Sequence, residues 1–191
     1  MHSTLLNRNP PSKTAPAHSP RDRKLQLVLV LPATIINCPL WRIAILTQVT
    51  QFKDRVDKLL SRGMRDLSLT LGVLARIEND TYEIVAVQSN SGAYVRGEKY
   101  TLGNSYSRQV FEQQQTIAVT SQDNSPLELN HPLYRSLPLE CYIGVPILLH
   151  GKPWACMDFS SMAQREEPFS SEEIELVESL ATELTQLIAE G

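Results

Sequence analysis

Hydrophobic residues recur every three or four positions in two long stretches of the chain. The first stretch predicts a helix over residues 40–62, with an apolar stripe formed by Ile45, Val49, Phe52, Val56 and Leu59. A stripe with this spacing can pack on the protein's own sheet or form the seam of a dimer. The pattern favours neither packing over the other, and different faces of one helix can serve both.

The second stretch predicts a helix over residues 170–189 with a well-defined start. Ser170 and Glu173 have the spacing of a capping box, and Phe169 and Ile174 that of a hydrophobic staple. One apolar stripe consists of Ile174, Val177, Ala181, Leu184 and Ile188, and a second of Leu176, Leu180 and Leu187. Two stripes allow the helix to pack on a sheet with one face and on something else with the other.

Between these helices, runs of alternating apolar and polar residues predict strands. The predicted strands cover residues 67–77, 82–87, 99–102 and 116–120. The first has Leu69, Leu71, Val73, Ala75 and Ile77 on one face. Asn79-Asp80 supplies the turn after it. Asn104 or Ser105 can cap a short helix that carries Tyr106, and Asn130-His131-Pro132 starts another.

Residues 139–161 predict an antiparallel hairpin with a turn near Gly151. Its second strand places Trp154, Cys156, Asp158 and Ser160 on one face, and Ala155, Met157 and Phe159 on the other. In this register Cys156 faces about residue 146 and Cys141 about residue 161. The two thiols are then too far apart for a disulfide, which predicts free, buried cysteines.

The order of these elements predicts an α/β protein of the α+β type. A single antiparallel sheet has helices packed on one face, with loops and short helices on the other. Residues 1–39 are rich in proline and basic residues, and we expect a disordered or otherwise uncertain leader there. Residues 40–191 form the one predicted domain.

Charge and hydropathy argue against two classes of partner, nucleic acids and membranes. Residues 1–40 carry a net charge of +4 and residues 41–191 one of −7. The acidic domain is a poor candidate for nucleic-acid binding. The apolar run at residues 25–36 contains Pro32 and is too short to span a bilayer. We therefore expect a cytoplasmic protein that binds neither nucleic acid nor membrane.

Three segments resemble the GAF domain family. They are Leu74-Ala75-Arg76-Ile77 with Tyr82, then Tyr100-Thr101-Leu102-Gly103-Asn104-Ser105-Tyr106-Ser107-Arg108, and residues 131–161. The similarity covers about residues 48–189 and is greatest to the bacterial subgroup found with histidine kinase and diguanylate cyclase outputs. It implies a non-catalytic sensor in bacterial signal transduction, with a signalling partner protein. We expect a homodimer formed through the helices at residues 40–62 and 170–189. Ligand occupancy would change the packing of the dimer helices. The resemblance specifies no ligand or cofactor.

Two departures from the subgroup pattern affect the expected pocket. Ser107 stands where relatives commonly have cysteine, and Ala155-Cys156-Met157-Asp158 replaces a Gly-Thr-Leu-Asn type of run. Two other functions remain open, a dimerisation module that senses nothing and an enzyme similar to free methionine sulfoxide reductase. That enzyme needs cysteines in mobile loops, whereas Cys141 and Cys156 lie in or beside predicted strands.

The resemblance implies a ligand pocket between the sheet and the loops at residues 89–108 and 121–138. The candidate ligand-binding residues are Tyr106, Ser107, Arg108, His131, Tyr134, Tyr142 and Asp158. His131 can equally cap a helix, and the tyrosines can be core residues with a solvated hydroxyl. Asp158 needs a partner if it is buried, and we expect Arg76, Arg108 or a backbone amide. Arg108 can hold an anion at a helix N-terminus.

Overall fold

The computed structural model describes residues 39–92, 94–121 and 139–190, with first-helix side chains described from Leu46 onwards. Three helices are present in these ranges, α1 (Pro39–Asp66), α2 (Tyr106–Gln113) and α3 (Ser171–Glu190). The strands are β1 (Leu71–Glu78), β2 (Thr81–Ser89), β3 (Lys99–Thr101), β4 (Ile117–Val119), β5 (Cys141–Leu149) and β6 (Lys152–Ser161). The expectations for residues 1–38, the loop at residues 122–130 and the helix near His131 lie outside the described residues.

All six strands form one antiparallel sheet in the order β3-β2-β1-β6-β5-β4. The register predicted for the C-terminal hairpin is confirmed, because Pro146 pairs with Cys156 and Cys141 pairs with Ser161. Both cysteines are free and buried, as predicted. No helix in the described ranges is long and apolar enough to cross a membrane.

Helices α1 and α3 cover one face of the sheet. Their apolar residues share a core with one side of β5 and β6, including Leu60, Leu74, Met157, Phe159, Leu180 and Leu184. Both predicted stripes of α3 contribute to this core, since Val177 and Leu184 come from one and Leu180 and Leu187 from the other. The protein's own core therefore buries most of both stripes.

The other face of the sheet carries α2 and loops. Its separate core includes Val73, Ile84, Tyr106, Val110, Tyr142 and Cys156. Ser105 caps α2, because its side-chain oxygen accepts a hydrogen bond from the Arg108 amide at 3.2 Å. The predicted fold class is confirmed, with helices on one face of a single antiparallel sheet and a short helix with loops on the other.

The first strand begins four residues later than predicted. Helix α1 continues to Asp66 and ends in a left-handed Ser68, with φ of 56°. The Ser68 amide donates to the Arg65 carbonyl and the Leu69 amide to the Met64 carbonyl, which is the pattern of a Schellman motif. Leu69 therefore lies in the helix-side core instead of sharing a face with Leu71.

Trp154 also departs from the prediction. Ile147 pairs with Ala155 and Leu148 with Pro153, so a β-bulge leaves Trp154 without a partner in the ladder. The bulge interrupts the alternation of faces, and Trp154 packs against the helix-side core. It does not share the face of Cys156 and Asp158.

The apolar stripe of α1 divides along the length of the helix. Val56 and Leu59 are buried in the helix-side core, and Phe52 is partly buried against it. Val49, another residue of the stripe, is 59% exposed, and Leu46, which lies beside the stripe, is 64% exposed. The C-terminal part of the stripe thus packs on the protein's own domain, while the described N-terminal part is open to solvent.

Candidate functional site

Asp158 is a buried carboxylate in the middle of β6, only 5% exposed. The Tyr82 hydroxyl donates to its Oδ2 at 3.5 Å and the Ser107 hydroxyl at 3.4 Å. Burial raises the pKa of Asp158 to about 7, although hydrogen bonds from Cys156, Ser107 and Tyr82 favour the ionised form. The ion pairs found in the described part of the chain do not include Asp158. Among the described residues, its carboxylate therefore has only neutral hydrogen-bond donors.

Two tyrosines extend this polar cluster towards α2 and β5. The Tyr142 hydroxyl lies 3.4 Å from Ser107 Oγ and 3.7 Å from Cys156 Sγ. The Tyr106 and Tyr142 rings stack with their centroids 5.0 Å apart. The N-cap at Ser105 fixes the start of α2, and Ser107 in its first turn faces the sheet. The structure thus brings together four of the predicted site residues, Tyr106, Ser107, Tyr142 and Asp158.

A small cavity adjoins Asp158 on the side away from α1 and α3. We call it the inner cavity, and it measures about 20 Å³. It is lined by Leu71, Val73, Tyr82, Ile84, Tyr94, Leu139, Asp158 and Ser160. Ser160 is 1% exposed, and its hydroxyl oxygen has no hydrogen-bond partner within the described part of the chain. The inner cavity therefore combines apolar walls with a buried carboxylate and a buried hydroxyl.

A wider surface depression, here called the outer groove, lies beside the inner cavity. It measures about 210 Å³ and is lined by Thr70, Leu71, Ser89, Asn90, Ser91, Leu139 and Met162. Leu71 and Leu139 line both spaces. The two spaces therefore adjoin at these leucines, with hydroxyl and amide groups on the outer side and Asp158 on the inner side.

Arg108 does not join this cluster. Its guanidinium forms ion pairs with Asp80 and with Glu112, and it donates to the Gly103 carbonyl. Arg76 likewise pairs with Glu78. Neither arginine is the expected partner of Asp158, because nearby surface carboxylates engage both. His131 and Tyr134 lie outside the described residues.

Asp158 is the one predicted site residue among the eight residues that line the inner cavity. Ser160 was predicted on the face of Asp158 but not as a site residue, although the alternation along β6 places the two side by side. Tyr94 lies between strands, where no periodicity signals its direction. Leu139 precedes β5 and is buried on the α2 side of the sheet.

The two described thiols are poorly suited to nucleophilic chemistry. Burial raises the pKa of Cys141, and it raises that of Cys156 well above its ordinary value. Both thiols are therefore protonated at neutral pH, whereas the thiolate is the reactive form. Within the described ranges, no group of three or more His, Cys, Asp or Glu side chains has the geometry of a metal site.

The fold is similar to that of several solved GAF domain structures. The GAF domain of a phosphoenolpyruvate-protein phosphotransferase from Coxiella burnetii is 20% identical, with a TM-score of 0.59, and the match covers 78% of this chain and 92% of that one. The type II free methionine-R-sulfoxide reductase from Thermoplasma acidophilum is 15% identical, with a TM-score of 0.59 and coverage of 75% and 96%. The blue-light absorbing form of the Thermosynechococcus elongatus PixJ GAF domain is also 15% identical, with a TM-score of 0.59 and coverage of 75% and 90%.

At these identities the structural likeness shows the fold alone, since the three proteins include an enzyme and a photoreceptor domain. No curated protein sequence is significantly similar to the chain. The family model for the GAF domain matches residues 55–188, which is more than half of the chain. It spans the sheet, α2 and the residues that surround Asp158. The protein belongs to the GAF domain family.

Proposed function

We propose that this domain is a non-catalytic small-molecule sensor of bacterial signal transduction, and that its ligand occupies the inner cavity and the outer groove. The observation that carries the proposal is that Asp158 and the Ser160 hydroxyl, which has no partner among the described residues, line the same small cavity, whose other lining residues are aliphatic or aromatic. A buried polar group without a hydrogen-bond partner destabilises a protein by about 1–3 kcal/mol. A ligand that supplies donors to both side chains would remove this penalty.

The alternation of side chains along β6 gives such a ligand a route to the helices. Asp158 and Ser160 line the inner cavity, while Phe159 between them points to the opposite face and contacts Gly63 of α1 and the helix-side core. Movement of β6 on ligand binding would therefore shift the packing of α1. The ligand would select between two helix arrangements that already exist in equilibrium.

Homodimerisation through α1 completes the proposed mechanism. Val49 belongs to the stripe that Val56 and Leu59 bury inside the domain, Leu46 lies one turn before Val49, and both are exposed. A second copy of α1 would cover them as in a coiled coil. A cytoplasmic location and a signalling partner that reads the helix arrangement belong to the same proposal.

The chemistry of the two described cysteines supports a non-catalytic role. Cys156 is fully buried and lies beside Asp158, whose charge raises the thiol's pKa further. Cys141 donates to the Ala163 carbonyl at 3.4 Å and also has a raised pKa. Neither has the accessible thiolate that sulfoxide reduction by cysteine requires.

One observation favours a second candidate, a dimerisation module that binds no ligand. The inner cavity has room for about one water molecule. A single water could bond to Asp158 and Ser160 and satisfy both groups. In that case dimerisation through α1 would be the function of the domain.

Thermal unfolding in the presence of a small-molecule library tests the proposal. The library would contain cations, anions and neutral compounds, since a ligand that binds only the native state raises the Tm. The matched control is Ser160→Leu, which fills the inner cavity with a side chain. At least one compound is expected to raise the Tm of the native protein and not that of the variant. If no compound distinguishes the two proteins, the sensor proposal is wrong and the dimerisation module is favoured.

A further inference from the structure

We propose that the inner cavity binds the ammonium group of a small primary amine, an inference that rests on the proposed function and specifies its ligand class. Asp158 supplies a carboxylate and Ser160 an acceptor hydroxyl, and both line the same small space. An ammonium group has three donors and no acceptor, which matches this set of acceptors. The ammonium group therefore suits the inner cavity in its charge, in its hydrogen-bonding capacity and in its size.

The charge of the site argues against other ligand classes. In the described part of the chain Asp158 has hydroxyl and thiol neighbours but no ion pair with lysine, arginine or histidine. A carboxylate buried without a cation disfavours anionic ligands and strongly favours a cation. Neutral ligands would leave the carboxylate uncompensated.

The size and walls of the inner cavity favour a primary ammonium over a bulky one. A volume of about 20 Å³ accommodates a group the size of a water molecule, whereas a quaternary ammonium is several times larger. Tyr82 and Tyr94 also line the cavity. Aromatic rings beside a desolvated cation add an attractive interaction with it.

The residues between the inner cavity and the outer groove indicate what kind of group the ammonium would carry. Leu71 and Leu139 line both spaces, so an alkyl chain that extends from the inner cavity to the outer groove would lie against these two leucines. Beyond them, Ser89, Asn90 and Ser91 offer donors and acceptors to a polar end group. The expected ligand is a primary amine with a few methylenes and a polar or hydroxylated end.

Calorimetric titration with n-butylammonium as the probe tests this inference, at about pH 8, where Asp158 is ionised. Butan-1-ol and butyrate are the neutral and anionic comparisons, and tetramethylammonium is the bulky cation. The native protein is expected to bind n-butylammonium at least about tenfold more tightly than each comparison. Asp158→Asn is expected to weaken n-butylammonium binding by at least about tenfold, and Ser160→Ala by about threefold to tenfold. Asp66→Asn, which changes an exposed carboxylate, should leave binding unchanged.

Failure of the amine inference can be distinguished from failure of the sensor proposal. Asp158→Asn removes a buried charge and keeps the side-chain shape, so the variant is expected to fold, and circular dichroism verifies it. If butan-1-ol or butyrate binds as well as n-butylammonium, or Asp158→Asn binds the amine as tightly as the native protein, the amine inference is wrong and the sensor proposal stands. If none of the four probes binds and the compound library also raises no Tm, the amine inference and the sensor proposal both fail.

Discussion

The ring of Tyr142 lies flat along its own strand, over Gly144. A Cβ atom added to Gly144 would lie 2.2 Å from the Tyr142 hydroxyl oxygen and 2.7 Å from Cζ. The two residues share a face of β5 because they are two positions apart. The missing side chain at Gly144 therefore lets the hydroxyl reach Ser107 and Cys156.

Gly144→Ala is expected to displace the Tyr142 ring and lower the free energy of unfolding by about 1–3 kcal/mol, because the core has no room for the added methyl group. Urea unfolding measures this loss. Tyr142→Phe is the matched control, since it removes the hydroxyl and keeps the ring, and a loss of about 1 kcal/mol is expected. Equal stability of Gly144→Ala and the native protein would show that Tyr142 does not depend on Gly144.

A second glycine controls the packing of α1 on the sheet. A Cβ at Gly63 would lie 2.3 Å from Cζ of Phe159 and 3.0 Å from Cδ1 of Leu180. Replacing this glycine by alanine favours the helical backbone by about 1 kcal/mol. The added methyl group, however, has no room in the core, and such overpacking destabilises a protein by about 1–3 kcal/mol. We expect Gly63→Ala to be destabilised by about 1–2 kcal/mol in urea unfolding. Ser61→Ala, at an exposed position of the same helix, should be neutral or slightly more stable, and a stabilised Gly63→Ala would contradict the packing described.

Asp158 should make stability depend on pH in an unusual direction. Its pKa is about 7 in the folded protein and 3.8 ordinarily, so between these values the folded state keeps a proton that the unfolded state has lost. This contribution to stability is complete below about pH 4 and is lost as the pH rises to about 7. The groups facing Asp158 are Tyr82, Ser107, Tyr94 and Cys156. Burial raises the pKa of Tyr94 to about 12 and that of Cys156 well above its ordinary value, so both stay neutral across this range.

The comparison of Asp158→Asn with the native protein isolates this effect, because other titrating groups contribute equally to both. The variant is expected to have the same free energy of unfolding at about pH 4, and to be more stable by a few kcal/mol at about pH 8. Urea unfolding at both pH values measures the difference. A difference that does not grow with pH would mean that Asp158 is ionised at low pH in the folded protein.

Arg165 joins the segment before α3 to the end of α1. Its guanidinium contacts both carboxylate oxygens of Glu173 at 2.7 and 2.9 Å, donates to the Leu67 carbonyl, and lies 4.2 Å from the centre of the Phe169 ring. Arg165→Ala is expected to lower the free energy of unfolding by about 2–3 kcal/mol. Arg165→Lys is expected to lower it by about half as much, because one ammonium nitrogen cannot replace both Nη2, which contacts Glu173, and Nη1, which donates to Leu67.

The matched control for Arg165 is Arg55→Ala. Arg55 pairs with Glu190 at 3.4 Å, and more than half of each side chain is exposed. An exposed ion pair of this kind contributes at most about 0.5 kcal/mol. Urea unfolding of the two alanine variants should separate them clearly, and similar losses would show that Arg165 has no special structural role.

Charged substitutions at the exposed apolar residues of α1 test the proposed dimer. The double variant Leu46→Glu with Val49→Glu is expected to raise the dimer dissociation constant at least about tenfold, because it places charges in an apolar seam. Sedimentation equilibrium measures this constant. Gln51→Glu adds a charge on the opposite side of α1 and should leave it unchanged. A native protein that is monomeric at all concentrations would contradict the dimer.

Local signals in the sequence predicted much of the fold. The capping box is confirmed by reciprocal bonds between Ser170 and Glu173, and the turn at Gly151 set the register of β5 and β6. These features depend on residues close together in sequence. The placement of Asp158 on the α2 face also followed from simple alternation along β6.

The features that were missed depend on contacts or on backbone irregularities without a local signature. Ser68 has no obvious signal for a left-handed conformation, and the bulge at Trp154 interrupts the alternation of faces. Arg108 pairs with Asp80, which is distant in sequence. The lack of a described partner for Ser160 could be recognised only once the surrounding side chains were in place.

Native mass spectrometry of gently purified protein, compared with the same sample after denaturation, tests whether the inner cavity binds a small molecule. We expect a small molecule bound to the native protein, released on denaturation and absent from Ser160→Leu, in which a side chain fills the cavity. The exact mass of the released compound would give its elemental composition, and fragmentation would show whether it contains a primary amine. A small molecule bound equally to the native protein and to Ser160→Leu would contradict this location for the site. A native protein that stays unliganded after incubation with the library would contradict the sensor itself.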